Sequence, residues 1–423
     1  MTPAALLSKP RLHLLAALSS LLLAACGGGS GDGDDDHDEG QRIDSAGRLA
    51  LIEANSPSLR LYELDSASVL NSFALANPPS AVYASPGHRH ALAVQRTQDL
   101  VQIADGGLWQ EDHVDHLHDY KQAPKLLAAR ISGARPTHYE MHDGRAAFFM
   151  DGVAAENRSA QVQVFNEAAI ASGTPESSLT LPLAMHGTAE PRGNFLLSTW
   201  RAADATSTLP SHVELYRRNG SSWQFVQRFD TPCPDLHGSF SNKDHSAFGC
   251  SDGVLLVTQS GENFTARKLA NPADMPANAR IGTVIGHSQL TTLVGLASPG
   301  LVYEIDPVAG NLKKIAWAEG RTRRAHAFDR QGGKLMLLDD LGKLHLLDAR
   351  RQWAAIKSLA AVPTMPTAAP FPAIATSQAR DEAWISDPLG RQLLPVDTAA
   401  ATLRPALKLE FAPAGLAWLG IKR

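Results

Sequence analysis

The sequence predicts an all-β fold, in which small sheets form a closed ring called a β-propeller. Short strands rich in Leu, Val and Ile alternate with turns rich in Gly, Pro, Asn and Asp, and helical periodicity is almost absent. Residues 46–423 contain no second linker or change of composition that would divide them into separate domains. A repeat architecture explains both observations, and we expect a single propeller domain over residues 46–423.

One short unit recurs along this domain, namely a strand that ends in an apolar residue and Asp, a small turn, and another strand. The last three copies are 42 and 49 residues apart, which is the length of a four-stranded propeller blade. The copies are Leu64-Asp65, Ile305-Asp306, Leu347-Asp348 and Val396-Asp397.

The positions of the inner strands predict eight blades, with seven as the alternative because blade boundaries are soft. Residues 47–53, 59–64 and 69–75 make three strands of a blade that lacks its innermost strand. The C-terminal strand, residues 414–420, has no blade of its own, so we expect it to join the N-terminal blade and close the ring. The inner strands are predicted to begin near Ser80, Pro136, Ala184, Asp235, Gly282, Ala325, Pro372 and Ala414.

The N-terminus is predicted to be a targeting segment. Residues 1–25 have the form of a lipoprotein signal peptide, in which Lys9 and Arg11 precede an apolar stretch and Leu23-Ala24-Ala25-Cys26 forms a lipobox. Cys26 would carry the lipid and tether the protein in the cell envelope, facing the periplasm. The residue directly after Cys26 is not acidic, so the outer membrane is slightly favoured over the inner as the site of the lipid anchor. An ordinary signal peptide is the alternative.

Residues 26–45 are rich in Gly and Asp and are predicted to be a flexible acidic tether. His37, with Asp36 and Asp38, could hold a divalent ion weakly, although a solvated linker is the stronger interpretation.

The chain has 39 basic and 43 acidic residues and no basic face with interleaved aromatics, which argues against nucleic acid as a partner. We expect a monomer.

Besides the lipidated Cys26, two cysteines remain after the signal peptide is removed, Cys233 and Cys250. In an oxidising periplasm they are expected to form a disulfide, which would be worth roughly 3 kcal/mol in the chain-entropy model. A zinc site built on the two thiolates is the alternative, but their spacing is far from Cys-x-x-Cys.

The densest group of candidate metal ligands lies in residues 111–120, where His113, His116 and His118 alternate with acidic residues. Neutral imidazole binds zinc, copper, nickel or iron. The run lies in a long connection that could fold over the mouth of the central channel as a lid. A solvated polar loop is the alternative.

Histidines also recur at matching places in the predicted inner strands, which line the channel of a propeller. His116 and His118 with His138, His186 and His237 form the expected donor pool, of which three or four would bind a metal ion while the others would support them or form a second site. The alternative is that these side chains only form hydrogen bonds across a wet channel. The recurring positions are His138, His186, His237 and His326.

Three motifs carry a resemblance to a known family. They are residues 112–121 (DHVDHLHDYK), Arg135-Pro136-Thr137-His138, and Cys233-Pro234-Asp235-Leu236-His237-Gly238 followed by residues 248–255 (FGCSDGVL). Together they resemble the periplasmic zinc metallochaperone AztD family over most of the chain from about Gly47 onward. The resemblance implies a β-propeller that binds zinc through histidines and delivers it to the solute-binding protein of a zinc ABC importer. It places the ligands among His116, His118, His138, His186 and His237.

The sequence departs from that family in two respects. Its acidic tail has only His37, where family members carry alternating His and Asp, and the lipobox predicts a tethered form.

Two other functions stay open. A metal-dependent hydrolase or oxidoreductase would need a general base, for which Asp115, Asp119, Glu140 and Glu190 are candidates, but no Ser-His-Asp or His-Glu-x-x-His pattern is present. The propeller lipoprotein could instead serve as a protein-interaction scaffold.

Overall fold

A computed structural model describes residues 41–423 and is almost entirely β-structure. The predicted signal peptide, the lipidation site Cys26 and the weak tail ligands Asp36, His37 and Asp38 lie outside the described residues. Within residues 41–423, no helix has the length and apolar character needed to cross a lipid bilayer.

The strands of the first half of the chain are β1 (Arg48–Glu53), β2 (Ser58–Glu63), β3 (Ser68–Ala74), β4 (Ala81–Ala84), β5 (His90–Gln95), β6 (Leu100–Asp105), β7 (Leu108–Asp112), β8 (Leu117–Lys121), β9 (Lys125–Ser132), β10 (Pro136–His142), β11 (Arg145–Met150), β12 (Gln161–Phe165), β13 (Ser177–Thr180), β14 (Ala189–Arg192), β15 (Phe195–Trp200), β16 (His212–Asn219) and β17 (Ser222–Arg228). Helix α1 (Glu167–Ser172) follows β12, and short 3-10 helices cover Arg96–Gln98 and Ala154–Glu156.

The second half continues with β18 (Ser239–Ser241), β19 (His245–Cys250), β20 (Gly253–Ser260), β21 (Asn263–Ala270), β22 (Ile281–Ile285), β23 (Leu293–Ala297), β24 (Leu301–Asp306), β25 (Asn311–Lys314), β26 (Arg323–Phe328), β27 (Lys334–Asp339), β28 (Lys343–Asp348), β29 (Ala354–Ala360), β30 (Ile374–Thr376), β31 (Glu382–Asp387), β32 (Gln392–Asp397), β33 (Thr402–Leu403), β34 (Leu407–Lys408) and β35 (Pro413–Leu419).

These strands form eight antiparallel blades, which confirms the predicted count and excludes seven. In chain order the inner strands are β4, β10, β14, β18, β22, β26, β30 and β35, and each begins within about five residues of its predicted start. The recurring Asp of the repeat unit has a structural role: Asp306, Asp348 and Asp397 each accept backbone N–H groups of the turn that follows. Such side-chain bonds fix the turn between the third and fourth strands.

The C-terminal strand closes the ring as predicted. Strand β35 is the innermost strand of the blade β3-β2-β1-β35, and it pairs antiparallel with β1 from Leu419 opposite Arg48 onward. The Trp418 indole N–H donates to the Ala46 carbonyl at 2.9 Å. A side chain at Gly47 would collide with Trp418, because its Cβ would lie 2.5 Å from the indole nitrogen. Glycine therefore lets the two termini pack together.

Neighbouring blades bury their apolar faces against each other. Leu61 of β2 and Ala93 of β5, for example, belong to one buried cluster that spans the first two blades. All inner strands run in the same direction, so the ring has two distinct faces. We call the face where the inner strands begin the top face, and the face where they end the bottom face.

Candidate metal centre

Three histidines meet at the top face, and we call them the histidine triad: His138, His186 and His237. They come from three consecutive blades, where His138 lies near the start of β10 and the other two just precede β14 and β18. One ligand nitrogen of each ring lies within 4.8 Å of the others. The Nε2 atoms of His186 and His237 are 3.1 Å apart, close to the ~3.3 Å that two ligands of a tetrahedral zinc ion would have.

Each ring of the triad is oriented by an acceptor at its Nδ1 atom. His138 donates to the Gly187 carbonyl at 2.7 Å, His186 to the Asp151 carboxylate at 2.9 Å, and His237 to the Gly282 carbonyl at 2.8 Å. A proton on Nδ1 leaves the Nε2 lone pair free for a metal. Metal-binding histidines in proteins are commonly held in this way.

The two backbone acceptors depend on glycines beside the triad. A Cβ on Gly187 would lie 2.5 Å from Phe149 Cζ of the preceding blade, and a Cβ on Gly238 would lie 2.7 Å from the Gly282 carbonyl oxygen. The His-Gly pairs of the sequence therefore let neighbouring blades approach closely enough for one blade to hold the histidine of another.

Asp151 supports the triad in a way that the sequence analysis missed. Its carboxylate accepts from His186 and from the Arg96 guanidinium, the latter at 2.7 Å, and its backbone carbonyl accepts from Met185, the residue before His186. The signal was present in Met150-Asp151-Gly152, an acidic residue directly after a buried strand, but it could not be paired with His186 without the fold.

Burial keeps two rings of the triad ready to bind a metal. It lowers the pKa of His138 to about 4, with a further contribution from His186, and it also lowers the pKa of His237. Neutral rings have an unprotonated nitrogen at physiological pH, so a cation does not have to displace a proton from them.

A second group of histidines occupies the hairpin formed by β7 and β8, which we call the histidine hairpin. The ring centres of His113, His116 and His118 are 5.2 to 6.2 Å apart. His113 lies 3.3 Å from the Tyr120 hydroxyl and His116 lies 2.9 Å from the Asp115 carboxylate. These rings face solvent and their own neighbours.

The hairpin does not cover the triad, and the expected lid is therefore wrong. It connects β6 to β9, the third and fourth strands of their blade, and this connection lies at the bottom face because strands of a blade alternate in direction. Asp119 at its base pairs with Arg423, which follows the end of inner strand β35. His116 and His118 thus lie on the opposite side of the ring from the triad.

His326 does not join the triad either. It lies in the inner strand of the blade β26–β29, and the blade β22–β25 separates it from His237. Its Nδ1 atom accepts a hydrogen bond from Arg323 at 2.9 Å, and burial, with the Arg323 charge, lowers its pKa to about 3. The recurrence in the sequence was real, but within residues 41–423 only the blades that begin with β10, β14 and β18 bring the predicted inner-strand histidines together.

Cys233 and Cys250 form the predicted disulfide. It ties the segment that carries His237 to the end of β19, where the His237 N–H also donates to the Gly249 carbonyl at 3.1 Å. The thiolate zinc site that was the alternative is thereby excluded.

Two glutamates line the inner strands below the triad. Glu190 is buried and Glu140 is half-buried. Desolvation raises the pKa of Glu140 well above its usual range, with the Glu190 charge as a further cause. Burial also raises the pKa of Glu190 to about 7, opposed by Ser239, Ser241 and Arg192. From the sequence, these two residues were expected only as candidate general bases of an enzyme.

The fold is an eight-bladed propeller, and the site at the top of its channel is a histidine triad with the geometry of a metal-binding site. No protein-family model matches the chain. The zinc chaperone AztD of Citrobacter koseri is 25% identical over 283 residues, which is 67% of this chain and 64% of that protein. The matched region thus spans less than two thirds of the relative's length.

Solved structures agree on the fold. Apo AztD from Citrobacter koseri and a second crystal structure of the same protein both match with a TM-score of 0.77 at 22% identity, covering 89% of this chain and 98% of theirs. The dihydro-heme d1 dehydrogenase NirN matches with a TM-score of 0.57 at 11% identity, covering 89% of this chain and 76% of its own. The resemblance to the AztD family that the motifs predicted is therefore confirmed.

Proposed function

We propose that this protein is a zinc chaperone that binds zinc at the histidine triad and delivers it to the solute-binding protein of a zinc ABC importer. The single observation that carries the proposal is the arrangement of the triad, in which three rings converge while an acceptor fixes each Nδ1 atom. The name of the matched relative, zinc chaperone AztD, supports zinc as the cargo and a non-enzymatic role.

The ligand set suits delivery as well as capture. Three neutral imidazoles leave a fourth position on a tetrahedral zinc ion for an incoming ligand of the partner protein. Both cysteines of residues 41–423 are engaged in the disulfide, so within this range no thiolate would hold the ion tightly. A partner could replace the histidines one at a time, and zinc would pass between the proteins without release into solution.

A transfer assay tests the proposal. Zinc-loaded protein is mixed with the metal-free solute-binding protein in the presence of excess chelator that traps free zinc. We expect the partner to receive zinc despite the chelator, and we expect the His138→Ala plus His186→Ala variant neither to load nor to transfer. His245→Ala is the matched control, because His245 contacts Thr258 of its own blade and should transfer normally.

Three results would count against the proposal. Zinc that reaches the partner only when chelator is omitted would indicate simple release. Zinc-dependent hydrolysis of ester, lactone or phosphate substrates that is lost in the double variant would favour the enzyme alternative. Binding of a partner that is equal with and without chelator would favour the scaffold.

We further propose that the chaperone works in the cell envelope, attached by lipid at Cys26 and facing the periplasm, in the outer rather than the inner membrane. The lipobox Leu23-Ala24-Ala25-Cys26 supports this location. Cys26→Ala should move the protein from the membrane fraction to the soluble fraction, and an unchanged distribution would contradict the anchor.

A further inference from the structure

Polar side chains continue down the channel below the triad. Alternate residues of a strand face the same way, so Glu140 and His142 follow His138 along β10. The guanidinium of Arg192 lies 3.3 Å from His142 Nε2. Glu140 precedes His142 by two positions, and Glu190 precedes Arg192 by two positions. The two carboxylates therefore lie at the same level of the channel, about 7 Å below the triad.

Glu190 is held there without a well-formed hydrogen bond, although the nearby Ser239 and Ser241 hydroxyls and the Arg192 charge oppose the rise in its pKa. It is 0% exposed, and neither of its carboxylate oxygens accepts a hydrogen bond from any residue in the range 41–423. A buried carboxylate is costly unless it is paired, hydrogen-bonded or bound to a metal.

The nearby cation does not meet this need. Arg192 donates instead to the Gln259 side chain at 2.7 Å and to the backbone carbonyls of Asn242 and Lys243 at 2.6 and 2.9 Å. Its guanidinium is therefore committed to β20 and to the turn after β18, and the Glu190 charge acts on Glu140.

Two hydroxyl groups, those of Ser239 and Ser241, flank Glu190. Ser239 Oγ lies 2.8 Å from Thr188 Oγ1, and Ser241 Oγ lies 2.6 Å from Ser246 Oγ. A serine hydroxyl that donates its proton to such a neighbour keeps a lone pair for a cation.

We propose that Glu140 and Glu190, together with the Ser239 and Ser241 hydroxyls, form a second cation site made of oxygen ligands. Carboxylate and hydroxyl oxygens suit Mg²⁺, Ca²⁺ and Mn²⁺, whereas the imidazoles of the triad suit zinc. The channel would then hold two chemically different cations at successive levels. This site does not depend on zinc delivery, and it would stand even if the triad bound another metal.

Manganese(II) is a suitable probe, because its paramagnetic resonance signal in water is lost on binding. Metal-free protein is titrated with MnCl₂, and crystals soaked in MnCl₂ are examined at the manganese absorption edge. We expect Glu190→Gln and Glu140→Gln each to bind one manganese ion fewer than the wild type. The anomalous peak should lie between the two carboxylates.

Three controls make the outcome decisive. His186→Ala should keep the manganese site, and Glu176→Gln should too, because Glu176 pairs with Arg145 and Arg218 away from the channel. Glu190→Gln should keep zinc binding at the triad, which also shows that the variant is folded. Equal manganese binding by Glu190→Gln and the wild type, or an anomalous peak only at the triad or elsewhere, would overturn the proposal.

Discussion

The two histidine clusters of this protein have the same number of rings but differ in how those rings are held. In the triad, every Nδ1 atom donates to an acceptor from a neighbouring blade or its loop, so the ligand geometry exists before a metal arrives. In the histidine hairpin, the hydrogen bond of His113 and the ion pair of His116 within residues 41–423 go to residues of the same hairpin, and the rings face solvent. Preorganisation reduces the cost of binding, so the triad should bind zinc tightly and the hairpin weakly.

Removal of one triad ligand should have the largest effect on zinc affinity and is the clearest test of the difference between the two clusters. Zinc binding by small structural sites is worth about 10–16 kcal/mol over four ligands, so His186→Ala should cost roughly 3 kcal/mol, or about 100-fold in zinc affinity. His116→Ala plus His118→Ala should change the tightest zinc affinity by less than about threefold. Isothermal titration with a competing chelator measures both, and a larger loss in the hairpin variant would reverse our assignment of the tight site.

The disulfide provides the next largest effect, because it stabilises the triad side of the ring. Cys233→Ala plus Cys250→Ala opens a loop of 17 residues and should lower the free energy of unfolding by about 3 kcal/mol. Urea denaturation measures this change. Hydrogen exchange should increase around His237 and stay unchanged in the hairpin, and equal exchange in the two regions would contradict a local role.

The sequence predicted the closed ring of blades better than it predicted which side chains of different blades come into contact. The 42- and 49-residue spacings and the orphan C-terminal strand sufficed for eight closed blades, because blade length is set by local strand and turn chemistry. The recurring His138, His186 and His237 were found for the same reason.

Two features could not be read from the sequence in this way. Placing the histidine hairpin required knowing that it joins a third strand to a fourth, which decides the face on which it lies. Assigning Asp151 to His186 required the contact between two blades, and such contacts leave no periodic trace along the chain.

Asp151 allows the comparison to be sharpened without touching a ligand. Asp151→Asn keeps the shape of the side chain but weakens the acceptor at His186, and loss of such a support typically costs 10- to 100-fold in metal affinity. Asp339→Asn is the matched control, because Asp339 holds His345 at 3.0 Å in a blade without triad residues. The chelator-competition titration should show weakening in Asp151→Asn alone, and equal affinities would mean that the ring of His186 needs no holder.

The smallest expected effect concerns the anchoring of the hairpin. Asp119 accepts from the Ile43 N–H at 2.7 Å and pairs with Arg423, so the base of the hairpin is fixed to both ends of the described chain. Arg423→Ala should loosen the hairpin by about 1 kcal/mol, which corresponds to roughly fivefold faster hydrogen exchange in residues 108–121. Zinc affinity of the triad should not change, because the two clusters occupy opposite faces. A parallel loss of zinc affinity would show that the faces are coupled through the channel, and the histidine hairpin would then have to be treated as part of the same metal-handling unit.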